Sequence, residues 1–145
     1  MRPGSADAAG GEASHGICLD CLRNLHLLPT EDLLALSQEM LDQLPLGFIE
    51  LDRDGVVRRY NAAEARAAGL DPLQVVDRPF FTEVAPCTRV REFHGRFVEM
   101  TAQPTPARDE LDFLFRFRSG DRYAHLDMRW HPERQRFVVL VELLS

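Results

Sequence analysis

Cysteine is scarce in this chain: there are three, Cys18, Cys21 and Cys87. A small, odd set argues against the disulfide framework of secreted domains and fits a reducing compartment where thiols are structural or chemically employed. Long apolar runs are missing too. No stretch approaches the roughly 20 residues that span a bilayer, and the opening MRPGSADAAGGEASHG lacks the apolar segment of a secretory signal. These absences predict a cytoplasmic protein with no membrane association. Excess basic charge is lacking: the net charge is −6, and Arg116 and Arg118 are hemmed in by Asp109, Glu110, Asp112 and Asp121. Such a surface repels a phosphate backbone, so nucleic acid is not an expected partner. There is no glycine-rich phosphate loop, no serine nucleophile elbow and no convincing pair of carboxylates, and His94, His125 and His131 are scattered over different elements, so no enzyme is expected.

What is present suits one domain with an extension. The chain has 145 residues, 45% of them hydrophobic, enough for one sizeable core. Residues 1–16, rich in Gly, Ala and Ser without apolar periodicity, read as a disordered tail. Residues 17–44 read as an N-terminal helical cap. In TEDLLALSQEMLDQLP, Thr30 is expected to cap one helix carrying Leu33, Leu36, Met40 and Leu44 at helical spacing until Pro45 stops it. Residues 45–145 read as the main domain. Gly47–Leu51 and Val56–Asn61 form a hairpin about Asp52–Gly55. Asn61 caps a short helix ended by Gly69, and Asp71 with Pro72 starts another. Arg91–Met100 forms a longer helix, and three strands follow at about Glu110–Arg118, Tyr123–His131 and Arg136–Leu144. The order describes an α+β fold, a five-stranded antiparallel sheet with helices mainly on one face.

Taken singly, the chemistry-bearing residues are bland. A lone Cys87 reads as a small hydrophobe, Tyr60 as a half-buried aromatic, and Glu64 as a solvated charge. Taken together, YNAAE (Tyr60–Glu64), FFTEVAPCT (Phe80–Thr88) and EFHGRF (Glu92–Phe97) resemble the photoactive yellow proteins, blue-light receptors with a PAS fold. The resemblance runs from about Leu44 to Leu144, with nearly unbroken register from Gly47 to Phe97.

That resemblance implies a p-coumaric acid (4-hydroxycinnamic acid) chromophore bound covalently as a thioester to Cys87, with Tyr60 and Glu64 hydrogen-bonding its phenolate oxygen. It also implies a surrounding wall of Ile49, Ala68, Leu70, Phe80, Pro86, Phe113, Phe115 and Phe117. The last three share one strand face with Leu111, and Asp112, Leu114, Arg116 and Arg118 take the other. A phenol has a pKa of about 10 in water, so keeping it ionised near neutral pH requires strong donors to the anion. Tyr60 supplies one O–H, and Glu64 a second if burial keeps its carboxyl protonated. The family often has a Thr and an Arg where this chain has Ala68 and Leu70, which leaves any shielding cation to Arg66 or Arg89.

Signalling through an unidentified downstream partner would follow from trans–cis photoisomerisation and proton transfer from Glu64. Two further readings stand beside it. One is a PAS interaction or ligand-sensing domain without chromophore, with a homodimer formed through the N-terminal helices. The other is a thiol or metal sensor built on Cys18 and Cys21, with His15 and His26 nearby.

Overall fold

A computed structural model describes residues 24–117 and 119–144. Cys18, Cys21, His15 and the expected tail lie outside the described residues. The described chain opens with a 3₁₀ turn (Leu25–Leu27) and two short helices, α1 (Thr30–Leu34) and α2 (Gln38–Asp42). The single helix expected from the leucine spacing is thus divided, because Ser37 adopts an extended backbone and its hydroxyl accepts from the Met40 N–H, starting the chain afresh. Pro29, and not Thr30, holds the N-cap position of α1.

Strands β1 (Gly47–Asp52) and β2 (Val57–Tyr60) follow as a hairpin. Its turn places Gly55 at φ +84, which favours glycine, while the Asp52 carboxylate accepts from the Asp54 and Val56 N–H groups. A helical stretch then leads to β3 (Ala107–Phe117), β4 (Gly120–His131) and β5 (Arg136–Leu143). All pairings are antiparallel, and the sheet order is β2-β1-β5-β4-β3.

Both faces of the centre of this sheet are covered, which explains the continuous apolar run Phe137–Val141 in β5. Val139 and Val141 join Ile49, Phe115, Met128 and Trp130 in the core beneath the helices that follow β2. Val138 and Leu140, with Phe48, turn the other way and meet Leu25, Leu33, Leu41 and Leu44 of the N-terminal cap. Each fully buried leucine contributes roughly 1.5–3 kcal/mol, so the cap is held by apolar burial as well as by the polar contacts described below.

Candidate functional site

The helical stretch after β2 begins at Asn61, which caps α3 (Ala62–Ala68) as its sequence position implies. Its Oδ1 accepts from the N–H groups of both Glu64 and Phe48, and its Nδ2 donates to the carbonyls of Leu41 and Leu46. One buried amide therefore joins α3, β1 and the end of the cap. The helix ends at Gly69, whose φ of +72 sends the chain back toward α4 (Pro72–Val75), started by Asp71. Glu64 and Ala68, four residues apart, share the buried face of α3.

The cysteine lies across this core. A π turn (Phe80–Val84) delivers the chain to a single 3₁₀ turn, Pro86–Thr88, with Cys87 at its centre. The Thr88 hydroxyl and N–H both bond the Ala85 carbonyl, at 2.6 and 2.9 Å, fixing the turn. Cys87 is half-buried and is the free thiol among the described residues. Beyond it a second π turn (Arg91–Gly95) runs into α5 (Arg96–Thr101), where one helix was expected. His94 packs on the Phe81 ring at 4.7 Å.

Cys87, Pro86, Ala68, Leu70 and Phe117 line a cavity of about 430 Å³, with Arg78 and Arg116 as its cations. Arg66 and Arg89, considered for shielding on sequence grounds, do not line it. The volume falls within the roughly 300–1,000 Å³ of small-molecule sites. Ile49, Tyr60, Phe80 and Phe115 belong to the adjoining buried core, with Phe113 and Phe117 half-buried against it. Phe115 and Phe117 stack at 4.8 Å, and Phe93 meets Phe113 edge-on at 5.6 Å, so the face is built of rings.

Two polar groups stand out in the core beneath the helices, although neither lines the cavity. Glu64 is 1% exposed and Tyr60 2%. Among the described residues, neither the Glu64 carboxyl nor the Tyr60 hydroxyl has a hydrogen-bond partner within the protein. Burial pushes the Glu64 carboxyl up to about 8, so near neutral pH it keeps its proton. Burial first, and then the charge of Glu64, raises the Tyr60 phenol and holds it neutral. Buried, unpartnered polar groups are costly and uncommon in folded proteins. Here they are two protonated groups, each with an O–H free to donate, and Tyr60 lies near enough to feel the charge of Glu64.

Sequence reasoning reached Tyr60, Glu64 and Cys87 but saw Asn61 only as a helix cap; its strand and cap contacts carry no local signal. Nor does the sequence show that the Ser119 hydroxyl donates to the Ala67 carbonyl, at 2.6 Å, and ties the β3–β4 turn to α3.

The five-stranded order and the helical stretch over one face define a PAS-type sensor domain, and a family model described as PAS fold matches residues 41–141. The photoactive yellow protein of Rhodobacter capsulatus is 33% identical over 105 residues, covering 72% of this chain and 84% of its own length. That of Halochromatium salexigens is 49% identical over 67 residues, covering 46% and 54%. The photoactive yellow protein domain of the sensor histidine kinase Ppr from Rhodospirillum centenum superposes with a TM-score of 0.73 at 32% identity, covering 79% of this chain and 99% of that one. The chain belongs to the photoactive yellow protein family. Its role is accordingly that of a photoreceptor-type PAS sensor with a chromophore-binding domain, a signalling module whose output passes to a downstream partner. Among the described residues no helix is long and apolar enough to cross a membrane.

Proposed function

We propose that the protein is a blue-light receptor carrying p-coumaric acid as a thioester on Cys87, with Tyr60 and Glu64 donating to the phenolate oxygen. The observation that carries this reading is the pair of buried O–H groups without protein partners, in the core beside the cavity that Cys87 lines. Loading requires an activated p-coumaroyl donor, whose leaving group is displaced by the Cys87 sulfur and departs with the thiol proton. A reducing, cytoplasmic setting keeps that sulfur available. The bound group supplies blue-light absorption and a trans–cis change of shape.

The remaining steps belong to the chain. In the dark, Glu64 and Tyr60 each give a charge-assisted hydrogen bond worth roughly 1.5–3 kcal/mol, the order needed to lower a phenol's pKa by a few units. After light, Glu64 would pass its proton to the phenolate oxygen and become a carboxylate in a site that solvates it poorly. Because Asn61 bonds the Glu64 N–H, the Phe48 N–H and the Leu41 and Leu46 carbonyls, rearrangement of α3 is transmitted to the N-terminal cap. The cap is then the surface read by a downstream signalling protein, and it is also where a homodimer would form.

Incubation of the apoprotein with an activated p-coumarate, beside a Cys87→Ala control, tests this directly. A visible band in the native chain alone is expected, shifted in Glu64→Gln. No colour, or equal colour in the control, overturns the reading and leaves a PAS domain that senses some other ligand.

A further inference from the structure

Gly47 opens β1 opposite Val141 of β5 and is buried. Its backbone gives no reason for glycine, since the positive-φ glycines of the described chain are Gly55, Gly69 and Gly120. What matters is the missing side chain. A Cβ built at Gly47 would lie 2.1 Å from Glu64 Oε1, 3.1 Å from its Cδ and 3.2 Å from its Cβ. The Glu64 carboxyl therefore occupies the volume that any other residue's Cβ would take.

The helix cannot withdraw to make room. The neighbouring Phe48 N–H and the Glu64 N–H share one acceptor, Asn61 Oδ1, at 2.9 and 3.1 Å, which clamps the first turn of α3 against β1 one residue from Gly47. With both backbones held, the Glu64 side chain has to yield. We propose that Gly47 is a positioning residue, whose lack of a side chain creates the buried seat in which the Glu64 carboxylic acid is held. This rests on the proposed role of Glu64 as donor and proton source, and adds that Gly47 decides whether Glu64 can reach that role. Among the described residues, Tyr60 is a titratable group that feels the charge of Glu64.

The consequence of Gly47→Ala is specific because the closest clash falls on the free end of a flexible side chain, which can swing aside, and not on backbone. The carboxyl then leaves its seat, while the 3.2 Å approach to the Glu64 Cβ needs a backbone shift of only a few tenths of an ångström. The readout is the infrared carbonyl band of the protonated Glu64 carboxyl in the apoprotein, assigned by its loss in Glu64→Gln and followed through a pH titration. Gly47→Ala is expected to weaken proton binding at Glu64 by at least about tenfold, one pKa unit. An unchanged band with an unchanged midpoint overturns the proposal.

A double-mutant cycle separates seating from general strand damage. Gly47→Ala should cost much less stability in a Glu64→Ala background, where Cδ and Oε1 are gone, than in the native chain. Equal cost in both backgrounds, including failure of both to fold, would overturn the proposal. Since neither measurement requires p-coumarate, a chain that refuses the chromophore yet shows the coupling refutes the proposed function alone. In loaded protein, Gly47→Ala should move the visible band in the same direction as Glu64→Gln.

Discussion

A carboxyl kept neutral inside a core weakens the fold that keeps it. Burial raises Glu64 from 4.5 to about 8 in the folded chain, so between those values the folded state binds a proton that the unfolded state has lost. Stability is highest below the unfolded value and falls as pH rises toward 8, by on the order of 3 kcal/mol at pH 7. Glu64→Gln keeps the shape and removes the titration. The apoprotein variant should therefore be more stable than the native chain at pH 7–8 and nearly equal to it near pH 4, measured by urea unfolding across that range. A constant difference at all pH values would contradict a buried neutral Glu64. At this scale the sequence spoke unevenly. Tyr60, Glu64 and Cys87 were legible because YNAAE and APCT stand in a specific register. Gly47 was not, since a glycine opening a strand without a positive φ looks like any other and its reason lies in a helix met only after folding.

Among the elements, the five strands and the helix starts at Asn61 and Asp71 were legible because their signals are local: alternation, a capping side chain, a glycine at the helix end. The division of the cap into α1 and α2 was hidden, because the leucine spacing continues across Ser37 while only its side-chain bond to Met40 shows the break. What joins the elements is Asn61, and its two ends can be tested apart. Asn61→Asp retains an acceptor for the Phe48 and Glu64 N–H groups but can no longer donate to the Leu41 and Leu46 carbonyls, which would face a carboxylate. A buried acceptor left unpaired costs about 1–3 kcal/mol. Faster amide hydrogen exchange is expected in residues 38–46, with much smaller change in α3. Equal acceleration in both would show that the amide does not act as separate links.

Across the whole molecule, the cap is latched by charges that a period-two reading assigns to solvent. Asp127 and Arg129 lie on the sheet face away from the cavity, yet they are 0% and 1% exposed. The Arg129 guanidinium donates to Asp127 and to the carbonyls of Leu25, His26 and Leu28, while Arg108 donates to Asp127 and the His26 carbonyl. His26 completes the latch between Asp127 and Glu142. Burial works to raise the Asp127 carboxyl, but bonds from Arg129, His26 and Arg108 outweigh it and hold it below its usual range. That contribution is present above the unfolded value of 3.8 and is lost as pH falls through the folded one. Arg129 is the member that covers three carbonyls at once, which suits a forked, planar donor and not the single point of a lysine. Arg129→Lys keeps the charge and loses the fork, so the damage should fall on the cap: amides of residues 25–44 lose protection while those of β4 and β5 retain most of theirs. The buried aspartate remains paired with Arg108, which keeps the sheet intact and makes the cap's release the first event. If β4, β5 and the cap instead lost protection together, the cap would be part of one cooperative core, and a signal carried by its separate release would have no structural basis.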